Sequence, residues 1–537
     1  MSDTIGKDIQ DLARFGYRQD LDRSLGAFSS FAASFSYISI LTGVSQMFYM
    51  GFAAAGPAFF WTWPVVLLGQ FSVALGFAEL AAQYPLSGGV YQWSRRVGSP
   101  ALGWLTGWIY LACSVISLAA VALALQATLP QIDGGFQMLG DGSNPEDRAW
   151  NAVVLGCGLI ALTTMINVIG VRLMARINNV GVISEMAGVV LLIILLFACS
   201  HHEPALLLRR TARSGAYPRG WIGALLASAV MPSYVLYGFD TAGTLAEETT
   251  DPRRRAPWAI LRALAAAGLT GGLLIAAAIL AARDPSAAAL GEISGGLPMI
   301  VNDALGRRLG GVFLSVVVFS IMVCALAVHA GTVRLIFAMA RDNGLPFAHA
   351  LSRVTDDTKT PPAPAFLTGV LAALILFVNA NLPKMIETLC SVAIIWANLA
   401  YLLVSLPLLF RRLRGWPANL PEGACLSEGT FTLGRWGLPV NLVAVAWGTF
   451  TVVNMSWPRP EIYGDNPSSR FAAIYATAAL VGAGILYYLA FQRDQTKILV
   501  EHRAKRRGWL RKRRRTKNPS RPGDESTTRW ELMRCCR

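Results

Sequence analysis

Asp240 is an acid in the middle of an apolar stretch, in the run WIGALLASAVMPSYVLYGFDTAGTLAE from Trp221 to Glu247. A carboxylate at membrane depth costs several kcal/mol unless it is paired, solvated or used. Gly238 and Gly243 flank it, and glycine lets a helix break. Tyr237, Gly238, Phe239, Asp240 and Thr241 therefore form a candidate unwound segment that binds a small polar substrate. Three roles are open to Asp240: facing the ammonium of a substrate, carrying a coupling proton, or capping a helix fragment and shaping the break.

A second interruption lies near the N-terminus. Ser39, Ile40, Leu41, Thr42 and Gly43 interrupt the run from Ser29 to Gly51. Hydroxyls and a glycine at that depth make either a tight helix contact or an unwound turn whose amides and carbonyls hold a zwitterion. Corresponding breaks in two halves of a chain point to a transporter site. Phe35, Tyr37, Tyr234, Tyr237 and Phe239 are candidate lining aromatics, because a ring face attracts an ammonium.

Four further charged residues are candidates for gating or coupling. Glu79 stands before the turn formed by Pro85, Gly88 and Gly89. It can pair with an arginine as a closure latch or as a static bridge. Glu185 lies in an apolar span with no evident partner, which leaves proton coupling and plain burial open. Arg334 and Arg341 are seven residues apart and share a helix face. They suit a gate or a lipid-facing clamp.

Composition explains what positions these groups. Of 537 residues, 54% are hydrophobic and only 15% charged, against roughly 25% in soluble domains. Mean hydropathy is +0.46. The chain therefore reads as an all-α polytopic membrane protein. A crossing needs about 20 apolar residues, and twelve spans are predicted: 25–48, 58–83, 100–128, 151–169, 178–199, 221–247, 257–282, 308–340, 364–381, 385–410, 438–455 and 470–490. The pair around Asn379 to Pro383 is open to redivision, and part of the long eighth span is expected to extend beyond the membrane.

Charge orients the set. Arg14, Arg18, Arg23, Arg95, Arg96, Arg172, Arg176, Arg253, Arg341 and Arg411 fall on one side, with the terminal arm 1–24 and the tail 491–537. By the positive-inside rule both termini are cytoplasmic, and the plasma membrane is the expected location. The loop 200–220, with Arg209, Arg210, Arg213 and Arg219, runs against this rule.

The formal charge of +15 comes largely from the tail, where Arg503 to Arg521 holds eleven Lys and Arg residues. Such a run beside a membrane fits anionic lipid rather than nucleic acid. Five of the eight cysteines sit in or beside apolar spans without metal spacing. Cys535 and Cys536 beside the basic run leave lipidation open. No GxxxxGK[ST], dinucleotide fingerprint, HExxH or nucleophile elbow occurs, so an ATP-driven pump, a cofactor enzyme and a metal site are not expected.

Four fragments in order carry a resemblance. They are Thr42–Gly43, GFAELAAQYPLSGGVYQW from Gly76, YGFDTAGTLAEE from Tyr237 and RLIFAMARDNGLPF from Arg334. Together they resemble the amino acid–polyamine–organocation superfamily over roughly residues 14 to 490, closest to its amino acid/choline branch of GABA and choline permeases. Val333 departs from the pattern, since a serine is expected before the first arginine. The resemblance implies a LeuT-like fold with two inverted five-helix repeats, about 25–199 and 221–410, and peripheral helices at about 438–490. It also implies discontinuous spans one and six at the substrate. It maps a carboxylate-binding turn onto Ser39 to Gly43 and the second unwound region onto Tyr237 to Gly243. The expected activity is secondary transport of an amino acid or related amine, coupled to protons or run as exchange, with no cofactor. A choline or polyamine permease, a channel, and a transport-inactive sensor with the same fold are the alternatives.

Overall fold

The computed structural model describes residues 2–210, 217, 220–285, 288–292, 295–379, 385–417, 430–459, 466, 470–495 and 497–504. The basic run beyond Ala504, with Cys535 and Cys536, and the division point at residues 380–383 lie outside the described residues.

Proline and glycine place the helix ends. Pro100 and Pro252 open their helices at the position where a missing N–H costs nothing. Ser99 caps the first of these by accepting from the Leu102 N–H at 3.2 Å. The helices in order are α1 (Ser2–Arg14), α2 (Ala27–Ile38), α3 (Ile40–Ala55), α4 (Thr62–Gln83), α5 (Gly89–Val97), α6 (Pro100–Ile132), α7 (Pro145–Ile169) and α8 (Val171–Ala198). Then come α9 (Gly220–Ser228), α10 (Val230–Val235), α11 (Thr241–Thr244), α12 (Pro252–Ala281), α13 (Gly296–Arg341) and α14 (Ala348–Leu351). The set ends with α15 (Pro362–Asn379), α16 (Met385–Leu413), α17 (Gly437–Ser456) and α18 (Ala472–Tyr487).

Among the described residues nine helical stretches are long and apolar enough to cross a membrane. The first, Ala27–Gln83, contains α2, α3 and α4 joined through a 3-10 turn at Gly56–Trp61. Two shorter apolar helices, Gly220–Val235 and Pro362–Val378, stand where spans six and nine were expected. The exposed surface confirms the solvent: Val180, Ile183, Val190, Leu191 and Ile194 of α8 all face outward. A row of exposed aliphatics along a helix whose other face is also apolar belongs in lipid. The protein is a multi-pass integral membrane protein.

The core forms around α13, which packs on α6, α3, α8 and α7, while α12 packs on α4, α2 and α8. The interrupted segments α2–α3 and α9–α11 lie inside this frame. α18 lies at the margin, stacking Tyr487 on Trp104 at 5.8 Å.

The eighth helical stretch, Gly296–Arg341, begins before residue 308 and is kinked at Gly306, whose φ of 78° only glycine adopts without strain. Its far end is buried: the Arg341 guanidinium sits over the Tyr17 ring, Asp342 accepts from Tyr17 Oη, and Arg334 pairs with Glu248.

Candidate functional site

The first helix breaks at Ser39, which has φ 30° and ψ 96°. A break exposes the amides that open α3, and those amides carry partial positive charge. Glu185 of α8 answers them. Its Oε1 accepts from the Leu41 N–H at 3.1 Å and from Ser39 Oγ at 2.9 Å. Ser39 Oγ lies 2.7 Å from Thr42 Oγ1. Glu185 is buried, and its Oε2 has no hydrogen-bond partner among the described residues. The sequence offered no partner for this acid; the fold supplies one from a segment remote in the chain.

The second break spans Leu236–Asp240, between α10 and α11. Gly238 has φ 87°, and a Cβ there would meet the Tyr37 ring at 1.9 Å. Glycine is therefore needed twice, for conformation and for space. The freed backbone groups are met by side chains from elsewhere. Ser34 Oγ donates to the Phe239 carbonyl at 2.9 Å and accepts from the Ala242 N–H at 2.8 Å. Tyr401 Oη accepts from the Gly238 N–H at 2.9 Å.

Asp240 is fully buried. Its Oδ1 accepts from Tyr110 Oη at 2.7 Å and from Tyr401 Oη at 2.5 Å. Thus α6, α16 and the break are joined through one carboxylate oxygen. Phe239 turns toward the Tyr401 and Phe77 rings, at 5.2 and 6.0 Å. Thr241 Oγ1 closes on the Gly238 carbonyl at 2.7 Å.

Between the breaks lies a cavity of about 20 Å³. Tyr37, Thr42 and Gly43 line it from the first break, Tyr234, Val235 and Tyr237 from the second. Ser117 and Val121 of α6, Cys324 and Val328 of α13, and Ile38 also line it, and Ser117 Oγ is 2.7 Å from Tyr237 Oη. This space suits a water molecule and nothing larger. Of the sequence candidates, Tyr37, Thr42, Gly43, Tyr234 and Tyr237 reach the cavity, while Phe35 and Phe239 do not line it. Ser39, Ile40, Leu41, Gly238, Phe239, Asp240 and Thr241 form the surrounding breaks. No carboxylate lines it among the described residues.

A layer of ion pairs closes the end of the bundle below α11. Arg341 donates to Glu247 through both terminal nitrogens, Nη1 and Nη2, at 2.7 and 2.5 Å. Arg334 donates to both oxygens of Glu248 through Nε and Nη2, at 3.0 Å each. All four side chains are buried, so the lipid-facing alternative for the arginines is excluded. Glu247 also accepts from the Ser87 N–H at 2.8 Å, which ties the turn after α4 to the layer. Glu79 is buried against Arg412 of α16, and its Oε1 accepts from Thr432 Oγ1 and the Leu433 N–H at 3.0 Å each.

The N-terminal arm lies over this layer. Tyr17 Oη donates to Asp342 at 2.9 Å, and the Arg341 guanidinium sits 4.0 Å from the Tyr17 ring centroid. Asp342 also accepts from Tyr91 at 2.8 Å and from Arg95. Arg253 binds Asp11 of α1 at 2.5 and 2.9 Å. The segment 497–504, with a 3-10 turn at Val500–His502, packs on the arm, and Arg18 N–H donates to the His502 carbonyl at 2.9 Å.

Sequence reasoning missed Ser34, Tyr110, Ser117 and Tyr401, which serve the breaks from other elements, and Glu247, Glu248 and Arg412 in the closing layer. The available signal was hydroxyls on α2, α6 and α16 at membrane depth, and a pair of adjacent acids matched by arginines seven apart.

Two interrupted helices around a buried polar cavity, inside a lipid-facing bundle and closed at one end by ion pairs, define a membrane transporter of small polar molecules. The amino acid permease family model matches residues 25–485, and the chain belongs to that family. It is 24% identical over 500 residues to the amino-acid permease BAT1 of Arabidopsis thaliana, covering 89% of this chain and 93% of the relative. It is 23% identical over 491 residues to the GABA-specific permease of Saccharomyces cerevisiae, covering 89% and 84%. Amino-acid permease 2 of Neurospora crassa is 24% identical over 500 residues, covering 89% and 86%. Membership in this family makes the protein a transporter and not an enzyme.

Proposed function

We propose that the protein is a secondary active transporter of a zwitterionic amino acid or close relative. The arrangement it would use is LeuT-like: twelve passes, inverted repeats at about 25–199 and 221–410, peripheral helices at about 438–490, and both termini in the cytoplasm. The observation that carries this reading is the cavity between the two breaks, walled by Thr42 and Gly43 on one side and Tyr234 to Tyr237 on the other. A substrate carboxylate would sit at the N-terminus of α3, where helix amides favour an anion. Its ammonium would face tyrosine rings and the freed carbonyls of the breaks. A cavity without a lining carboxylate favours a net-neutral substrate over choline or a polyamine. Two of the relatives are named simply amino-acid permeases and one a GABA-specific permease, which supports the same class.

Asp240 acts here as a clamp on the second break, since two tyrosine hydroxyls and not the cavity face its Oδ1. Glu185 serves as the coupling carboxylate. It shares the N-terminus of α3 with the incoming substrate carboxylate, and two anions at one helix end repel. A proton on Glu185 removes that repulsion, so substrate and proton are taken up together. The small cavity describes an occluded form. Opening toward the cytoplasm requires the Glu247–Arg341 and Glu248–Arg334 layer to part, and Glu79–Arg412 latches the same side.

The test is uptake of labelled 4-aminobutyrate or alanine into liposomes, competed by amino acids, choline and polyamines, with and without an inward proton gradient. Saturable uptake with counterflow, blocked by zwitterions and driven by the gradient, is expected. Glu185→Gln should keep counterflow and lose the response to the gradient. Uptake without counterflow would sink the carrier in favour of a channel, and folded protein moving no tracer would favour a sensor. Inhibition by choline or spermidine alone would sink the zwitterion.

A further inference from the structure

Residues 15–25 of the terminal arm cross the closing layer and are fastened on both sides of it. One side is the segment that carries Glu247 and Glu248. The Leu25 N–H donates to the Glu248 carbonyl at 2.8 Å, and the Thr250 N–H donates to the Leu25 carbonyl at 3.0 Å. Gln19 Nε2 donates to the Glu247 carbonyl at 3.0 Å, and Arg23 Nη1 to the Thr249 carbonyl at 2.7 Å. The other side is the end of α13, the helix that carries Arg334 and Arg341. There the Tyr17 hydroxyl lies 2.9 and 3.1 Å from the two oxygens of Asp342, and its ring centroid is 4.0 Å from the Arg341 guanidinium. The acids of the layer thus belong to one segment and its guanidiniums to another, and one stretch of chain is bonded to both.

The two fastenings differ in what their loss exposes. Arg23 and Leu25 are buried, so freeing them from 246–250 leaves buried donors and acceptors without their partners, which is costly. Freeing Tyr17 strands no charge, because Asp342 still accepts from Tyr91, Gln92 and Arg95. α1 stays with the first side, since Asp8 accepts from the Asp251 N–H at 2.9 Å and Asp11 pairs with Arg253. The segment 497–504 bonds the arm at Gly16 and Arg18, and its own tie to α13 includes the Leu499 N–H donating to the Arg341 carbonyl at 2.9 Å. When the layer parts, the arm follows the 246–250 side and gives way at Tyr17.

We propose that residues 15–25 are a strap that restrains the closing layer, with Tyr17 as its catch and Asp342 as the seat that the catch must leave each time the layer parts. This rests on the reading of that layer as the gate that opens during transport. The strap is autoinhibitory: every opening has to break the Tyr17 bonds, so the catch slows the protein that carries it.

The experiment compares wild type, Tyr17→Phe and Tyr17→Ala in two ways. Hydrogen exchange on the purified full chain reports local opening of the layer through Ser87, whose N–H is bonded to Glu247, and of the anchored side through Leu25 and Thr250. Counterflow of 4-aminobutyrate and of alanine in liposomes reports transport. Ser87 should exchange about tenfold faster in Tyr17→Ala, as expected for loss of one hydrogen bond to a charged acceptor. Leu25 and Thr250 should stay within about twofold of wild type. Tyr17→Phe keeps the ring over Arg341 and should fall between, and counterflow should accelerate in the same order. Unchanged Ser87 exchange, equal acceleration at Leu25 and Thr250, or counterflow no faster than that of a transporting wild type would overturn the proposal. Should Tyr17→Ala fail to fold, the same comparison of Tyr17→Phe with wild type decides. A wild type without counterflow of either probe, together with faster Ser87 exchange in the variants, would remove the transport reading and leave the strap standing.

Discussion

Replacing Gly238 with alanine tests the second break directly. The residue holds φ 87°, and an added Cβ would stand 1.9 Å from Tyr37 Cδ1 and 2.3 Å from Cε1. The backbone term for an L-residue in that region is about 1–2 kcal/mol. Forcing a methyl into a packed core adds about 1–3 kcal/mol. Tyr37 cannot swing aside at no cost, because its ring packs edge-on to Tyr237 at 6.0 Å. The total of about 2–5 kcal/mol lowers the population of the intact break by about 30-fold or more. Gly306→Ala is the matched control. Its φ of 78° is likewise one that strains an L-residue, but nothing lies within 4 Å of the added Cβ. Initial uptake rates in liposomes, scaled to folded protein by size-exclusion profile, give the readout. Gly238→Ala should lose nearly all uptake and melt earlier, while Gly306→Ala keeps most of its activity. Equal behaviour of the two variants would refute the claim that Tyr37 and the break are packed against each other.

Two further outcomes follow from the closing layer and the clasp above it. Glu248→Gln leaves the Arg334 guanidinium buried and unpaired, which costs about 3–5 kcal/mol; the melting temperature in detergent should fall sharply, and the double variant Glu248→Leu with Arg334→Met should recover most of it. A single variant as stable as wild type would show the pair to be dispensable. At Asp20, burial raises the carboxyl pKa, but hydrogen bonds from His502 and Arg18 outweigh it and hold the value below the ordinary one. A depressed acid contributes fully above its free value, near 3.9, and loses its contribution as pH falls through the lowered folded value. Hydrogen exchange at Arg18 and Ala504, corrected for intrinsic rates, should therefore show constant protection from about pH 7 to pH 5 and release only in stronger acid; release at mild pH would mean that another group controls the clasp.

The sequence alone determined the solvent and the weak points of the helices. Long apolar runs with few charges belong in a membrane, and the hydroxyls and glycines around Ser39 and Gly238 mark candidate breaks, with a tight helix contact as the alternative for the first. Those properties are local, so periodicity and composition expose them. What the tertiary structure decided is the partner of every buried charge. Glu185 lies far along the chain from Leu41, Asp240 from Tyr110 and Tyr401, and Glu248 from Arg334, and no spacing rule links such positions. Arg334 and Arg341 read from sequence as either gate or lipid-facing; burial against two adjacent glutamates settles the second alternative. The arm 1–24 reads from sequence only as a charged terminal segment, and the fold docks it through Asp11, Tyr17 and Asp20 onto Arg253, Asp342 and His502. A charge in a low-dielectric interior is stable only with its counterpart in place, and that counterpart is fixed by how the helices pack rather than by the residues on either side of it.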